Sequence, residues 1–318
     1  KYGWKPQNDD ETLLNLLDEK GVKGLEEVDG IYAFAWIKEG EIILARDLIG
    51  VNPIWYSEDP FVFASEKQAL EKQGLEAREL HPRQILKYDI ENAEISFEQP
   101  EFFEIDVPKN SASSSENQKT RGVFSDEEEK EMEGAAEEIK DKFLEAVEKR
   151  VPEGDVGLLF SGGVDSTLIA AALQELGKDF TAYTSGIQHG NVNAPRDMDW
   201  AEEVAEDMDI ELEAYEADLK EVEKELPKII DWISSTSVVK NCVALPFHFA
   251  LRRNSDRVSG SPEDLRSSKH GEKVVFSGLG SEQLYAGYHR QQGYLNKECL
   301  SGLRRIFEGD LYRDNVVS

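Results

Sequence analysis

The chain has 318 residues, 39% of them apolar, and carries 65 acidic against 36 basic side chains, a net charge of −29. Its length allows two domains, and its charge excludes the broad basic surface that nucleic acid or an anionic membrane requires. A nucleotide needs only local positive potential and stays open, while acid spread along the whole length suits a saline, halophilic setting where screening removes self-repulsion.

No apolar run reaches 18 residues and no signal-like segment opens the chain, so no membrane association is expected. Cys242 and Cys299 have neither metal-ligand nor Cys-x-x-Cys spacing, Cys242 sits in an apolar stretch, and none of the five histidines falls in a metal-spaced cluster. A reducing, cytoplasmic compartment follows. The chain opens at Lys1 in mid-pattern and stops after Ser318, which reads as a fragment at both ends.

Residues 10–20 predict a helix with Leu13, Leu14, Leu16 and Leu17 on one side. From Ile31 the period shortens to that of a strand: IYAFAWIK, a Glu39-Gly40 turn and EIILARD predict a hairpin. Short strands follow at 54–56 and 61–64, a helix at 66–73, and strands near 85–88 and 95–97, an antiparallel α+β pattern. The stretch 106–125, DVPKNSASSSENQKTRGVFS, lacks an apolar period and reads as linker. A Glu-rich helix is expected over 126–149, burying Ala135, Ile139, Phe143, Leu144 and Val147, with its acidic side solvated. Beyond it strands and helices alternate: strands at 180–185, 210–215 and 273–276, helices at 198–208, 219–234 and 244–253, and a polar insertion at 254–272. Repeated βα units imply a parallel sheet with ligands at the carboxyl ends of its strands.

Two stretches carry chemistry. The first runs from Val156 to Gly177: the apolar strand VGLLF, then SGGVDS, then an Ala/Leu-rich helix. Adjacent glycines let the backbone turn sharply and bare its N–H groups, and the helix adds unpaired amides and a positive dipole end. With the Ser161 and Ser166 hydroxyls as further donors, Ser161–Ser166 make an oxyanion cradle. Asp165 would repel phosphate unless it holds a magnesium ion that the phosphates share. The plain alternative is a Gly-rich turn capped by an Asp or Ser. The second stretch, VVFSGLGSEQLYAGY over 274–288, again runs a strand into a Gly/Ser turn, where Glu282 offers a second oxygen ligand to magnesium.

SGGVDS after an apolar strand resembles the PP-loop of ATP pyrophosphatases, which cleave ATP between its α and β phosphates; no Gly-Lys-Ser/Thr follows, so it is not a Walker loop. Paired with the second stretch it resembles the synthetase domain of the glutamine-dependent asparagine synthetases, whose second motif is close to SGEGxDExxGGY. Ahead of it, ARDLIGVNPIWY and FASEKQAL resemble that family's ARDxxGxxPLYY and FASExKAL. The resemblance implies a partial class II (Ntn-type) glutamine amidotransferase domain of α+β character over 1–108, a linker over 109–125, and an α/β PP-loop ATP pyrophosphatase domain with a parallel sheet over 126–318.

Carried over residue by residue, the resemblance places Leu159, Ser185, Ser277 and Gly278 on the ATP site with Ser161, Gly162, Gly163, Asp165 and Ser166. It makes Asp165 the catalytic metal ligand and Asp9 the residue binding the α-amino group of glutamine. Arg46, Asp47 and Pro53 match as well, and there a structural turn is the better reading. The family's nucleophilic Cys would lie upstream of Lys1 and a conserved Lys beyond Ser318. Leu279 stands where the family has a Glu, Glu282 replaces Asp and Gln283 replaces Glu; Leu can neither accept a proton nor contact a cation. The closing LYRDNVVS resembles a divergent branch, the asparagine synthetase domain-containing proteins.

The activity implied is amide formation: a carboxylate, with aspartate the expected one, attacks the α-phosphorus of ATP, releases pyrophosphate, and is amidated by ammonia from glutamine. ATP and Mg²⁺ are the implied cofactors; homodimer formation is left open. Two other readings stand beside it. One is a nucleotide-binding descendant with a regulatory or scaffolding role, motivated by Leu279. The other is a different PP-loop enzyme, such as a GMP or NAD synthetase or a tRNA-thiolating protein, against which the amidotransferase-like first part and the lack of a basic surface weigh.

Overall fold

The computed structural model describes residues 4–99, 126–154, 156–188, 196–252, 274–285 and 287. The expected linker, the 254–272 insertion, Cys299 and the closing LYRDNVVS lie outside the described residues. The chain forms two compact units, divided between the strand that ends at Glu98 and the helix that begins at Asp126.

The first unit opens with α1 (Asp9–Lys20), capped where the Asn8 side chain accepts from Glu11 N at 2.9 Å, followed by a 3₁₀ stretch, Gly21–Glu27. Then come β1 (Ala33–Lys38), β2 (Glu41–Arg46), β3 (Trp55–Glu58), β4 (Phe61–Ala64), α2 (Lys67–Glu71), β5 (Arg78–Glu79), β6 (Ile85–Asp89) and β7 (Glu94–Glu98). The β1–β2 turn holds Glu39 at φ 52° and Gly40 at φ 86°, the two positive values that a tight hairpin matching strand twist requires. Two antiparallel sheets result, in the orders β1-β2-β6-β7 and β4-β3-β5. Successive β2 residues serve both faces: Ile43 and Ala45 meet Leu17, Trp36 and Ile85, while Leu44 meets Ile54, Tyr56, Leu80 and Leu86. Each such fully buried Leu or Ile contributes about 1.5–3 kcal/mol.

Arg46 and Asp47 are buried and bond to this scaffold. Arg46 donates to Glu79 Oε1 (2.8 Å), to Leu80 O (3.0 Å) and to Gly50 O, and Asp47 accepts from the amides of Gly50 and Val51. These bonds make the structural turn expected of the ARD segment.

The second unit comprises α3 (Asp126–Glu148), β8 (Val156–Leu159), α4 (Val164–Glu175), β9 (Phe180–Gln188), α5 (Arg196–Asp207), β10 (Leu212–Asp218), α6 (Leu219–Trp232), α7 (Val238–Arg252), β11 (Val274–Ser277) and α8 (Ser281–Leu284). Its sheet is parallel throughout, in the order β10-β9-β8-β11, with Leu158 level with Ala182 on one side and Phe276 on the other. On one face Val156, Leu158 and Phe160 pack with Ile169 and Leu173 of α4, Ala201 and Ala205 of α5 and Val147 of α3. Another cluster gathers Ala217, Ile229, Leu245 and Phe249, joining β10 to α6 and α7.

Two expectations are corrected. Only the last turns of α3 pack: Val147 is buried, Phe143 and Leu144 are half-buried, but Ala135 and Ile139 are exposed. Helix α7 begins at Val238, six residues earlier than its pattern suggested. Its β-branched start is held by Asn241, whose side-chain amide donates to Ser235 O and Ser237 O. Cys242, despite its apolar neighbours, is exposed.

Strand order fixes where a ligand can sit. The chain moves outward from β8 through β9 to β10, then returns to place β11 on the other side of β8. In open α/β sheets that reversal leaves a crevice between the carboxyl ends of the two diverging strands. SGGVDS follows β8 and SGLGSE follows β11.

Candidate active site

A cleft of about 370 Å³ occupies this crevice. From the first loop it takes Leu159, Ser161, Gly163, Asp165 and Ser166, from β9 Ser185, and from the second loop Ser277, Gly278 and Glu282. Thus nine of the residues singled out from sequence meet at one place.

The loop's internal bonds explain its shape. Helix α4 starts at an N-cap glycine, Gly163 (φ −69°, ψ 162°), with no side-chain cap. The capping Asp or Ser of a plain turn is therefore not used. The first intrahelical bond runs from Thr167 N to Gly163 O at 3.0 Å, which leaves the amides of Val164, Asp165 and Ser166 without helical acceptors. Ser166, however, is buried and turned inward. Its hydroxyl donates to Gly163 O (3.1 Å) and accepts from Ser161 N (3.3 Å). It shapes the cradle and is not a loose donor, as the sequence suggested. Ser161 Oγ, exposed, accepts from Gly163 N at 3.3 Å.

Gly162 is not on the cleft wall. It adopts φ +70°, a left-handed conformation suited to glycine, and a Cβ there would lie 2.9 Å from Trp200 Cδ1 and from Trp200 O. Its carbonyl accepts the Trp200 indole N–H at 2.9 Å. Gly278 seats the second loop on the first, since a Cβ there would meet Asp165 Cβ at 2.9 Å and Ser166 N at 3.2 Å. Ser277 Oγ accepts from Leu279 N (3.2 Å), Ser281 Oγ donates to Gly278 O (2.8 Å), and Gly280 takes φ +103°. Leu279, exposed, also faces the cleft.

Asp9 lies elsewhere. It is exposed in the first turn of α1, in the first unit, where a carboxylate suits the helix dipole.

Sequence reasoning missed an apolar wall and a support. Pro246, Phe247 and Ala250 of α7 line the cleft with Phe160 and Tyr183, and Ser185 Oγ donates to Pro246 O at 2.7 Å, tying β9 to that helix. Proline inside an apolar helical run was the only signal available for the wall; Trp200, in an acidic amphipathic helix, gave none.

Among the described residues lining the cleft, Asp165 and Glu282 are acidic and none is basic, and no group of three or more potential ligands forms among the described residues. Two carboxylates are enough protein ligands for magnesium, which keeps several waters and takes the rest of its shell from substrate phosphates, while the bare amides suit the phosphates themselves.

A doubly wound parallel sheet with a Gly/Ser cradle and two carboxylates lining the cleft at its switch point defines an α/β protein that takes its ligand at the strand ends. The chain belongs to the asparagine synthase family, whose model matches residues 138–315, and a glutamine amidotransferase domain matches residues 1–109. It is 28% identical over 342 residues to "Putative asparagine synthetase (glutamine-hydrolyzing) 1" of Methanocaldococcus jannaschii, covering 99% of this chain and 56% of that protein. It is 22% identical to asparagine synthetase (glutamine-hydrolyzing) 1 of Bacillus subtilis, covering 91% and 44% respectively. An asparagine synthetase domain-containing protein of Saccharomyces cerevisiae is 26% identical over 55% of this chain and 38% of its own length. The chain spans about half the length of the curated relatives it matches. Among the described residues no helix is long and apolar enough to cross a membrane.

Proposed function

We propose that the second unit is the ATP-using half of a glutamine-dependent amide-forming synthetase, with ATP, glutamine and aspartate as substrates. The observation that carries this is the meeting of Ser161, Gly163, Asp165, Ser277, Gly278 and Glu282 around one cleft at the switch point. Family membership supplies the reaction class.

On this reading the triphosphate lies on the amides of residues 163–166 and the adenosine against the apolar wall. Asp165 and Glu282 would hold magnesium, which would supply charge neutralisation for the pyrophosphate leaving group. As the aspartate β-carboxylate attacks the α-phosphorus, the fixed amides receive that charge without reorganising. Ammonia then displaces AMP from the acyl-adenylate. The first unit is read as part of a class II, Ntn-type amidotransferase, with Asp9 taking the α-amino group of glutamine; domain limits of 1–108 and 126–318 with a linker over 109–125 go with it.

The test is exchange of labelled pyrophosphate into ATP, measured with aspartate and with other carboxylates on the protein carrying its complete synthetase domain. Aspartate-dependent exchange is expected, and Asp165→Asn should lower it about 100-fold. Mg·ATP binding without exchange against any carboxylate would instead select a nucleotide-binding protein without ligase activity.

A further inference from the structure

We infer that Trp200 is a positioning residue, which sets the direction of the Gly162–Gly163 peptide and through it the phosphate affinity of the loop. The inference rests on the nucleotide reading above. In a trans peptide the C=O and N–H point opposite ways. The Gly162 carbonyl is held by the Trp200 indole N–H at 2.9 Å, and neither Gly162 nor Trp200 lines the cleft. The Gly163 amide lies on the other edge of the same peptide, the side on which Gly163 and Ser161 line the cleft; it donates to Ser161 Oγ at 3.3 Å, a long bond to a rotatable hydroxyl that a phosphate oxygen would replace. Rotating this peptide by half a turn would put a carbonyl oxygen, with its negative end, where phosphate is to bind.

Glycine at 162 makes such rotation easy, because its backbone is less restricted than that of any other residue. Some contact must then hold one orientation. The backbone of α5 supports the loop sterically, with Trp200 O 2.9 Å and Ala201 Cα 3.1 Å from where a Gly162 Cβ would lie, but these contacts do not select a carbonyl direction. A hydrogen bond from a donor-only group does. Trp200 is 52% exposed, so burial alone does not account for its position, and its N–H has a partner in the loop.

Trp200→Phe keeps the aromatic ring and the α5 backbone but removes the N–H. Calorimetric titration of the chain with Mg·ATP and, separately, with adenosine gives the deciding ratio. W200F should weaken Mg·ATP about tenfold, the scale of one lost hydrogen bond, and leave adenosine affinity unchanged. Equal Mg·ATP affinity in W200F and wild type overturns the inference, and so does an equal loss for both ligands, which marks a merely structural role. Should W200F fold poorly, the same ratio on Trp200→Tyr decides. A wild-type chain that binds adenosine but not Mg·ATP, or neither, overturns the nucleotide reading and this inference with it.

Discussion

A methyl group at Gly278 would sit 2.9 Å from Asp165 Cβ and 3.2 Å from Ser166 N, neither of which can swing aside. The first turn of α4 would have to move, so Gly278→Ala should cost about 1–3 kcal/mol by overpacking and disturb both loops together. Gly163 lines the same cleft, yet its backbone (φ −69°) suits any residue. An added Cβ there meets only Ser161 Oγ, at 3.3 Å, a rotatable hydroxyl. Gly163→Ala should therefore stay within about 0.5 kcal/mol of wild type. Urea midpoints at constant slope compare the two; equal midpoints would remove the case that Gly278 welds the second loop to the first.

Between α6 and α7 lies a buried charge that no part of the proposed chemistry uses. Glu225 is 3% exposed, with Lys228 Nζ at 2.9 Å, His248 Nε2 at 3.5 Å and Arg252 NH1 at 3.6 Å. Burial alone would raise its pKa, but the Lys228 hydrogen bond and the charges of Arg252 and His248 hold it below the usual carboxylate value. His248, packed against Trp232 and Phe249, is pushed below its ordinary 6.5, first by burial and then by Arg252 and Lys228, against the pull of Glu225. A histidine depressed on folding is more readily protonated when unfolded. Its contribution is thus complete above about pH 6.5 and is lost as pH falls through the lower folded value. His81 in the first unit, lowered by burial, Arg83 and Arg46, adds a slope of the same sign. His248→Phe keeps the ring contacts, so it should match wild type near pH 8 and lose less thermal stability between pH 7 and 5; an unchanged slope would discharge His248 from this role. The cluster also shows where legibility stopped. Period and turn residues displayed the β1–β2 hairpin, α1, β8–α4 and the parallel alternation, because each is a local pattern repeated over many residues. Two-residue β5 has too few residues for a period, and the start of α7 depends on Asn241 capturing two carbonyls. Motif residues showed one side of the cleft. Its apolar wall and the Trp200 contact arise from pairing across the fold, with Trp200 and Gly162 separated by 38 positions, and no local pattern records that.

Over the whole chain, 36 basic side chains cannot neutralise 65 acidic ones, so even with every cation paired 29 carboxylates remain in excess. Most of the ion pairs among the described residues are solvent-exposed, such as Lys142–Glu138 and Lys149–Glu145, and exposed pairs contribute little. Salt acts on both quantities in opposite directions. It weakens the exposed pairs, which lowers stability, and it screens the excess negative charge, which raises it. Repulsion among 29 uncompensated charges is summed over many neighbours, whereas each exposed pair is local and weak, so the repulsive contribution should decide the sign. The screening length falls from about 10 Å at 0.1 M to about 3 Å at 1 M. Thermal midpoints should therefore climb by about 5 °C between 0.1 and 1 M KCl, the equivalent of roughly 1–2 kcal/mol for a protein of this size. A midpoint that falls over that range would mean the paired charges outweigh the excess, and the acidic composition would then need a cause other than a salt-rich surrounding.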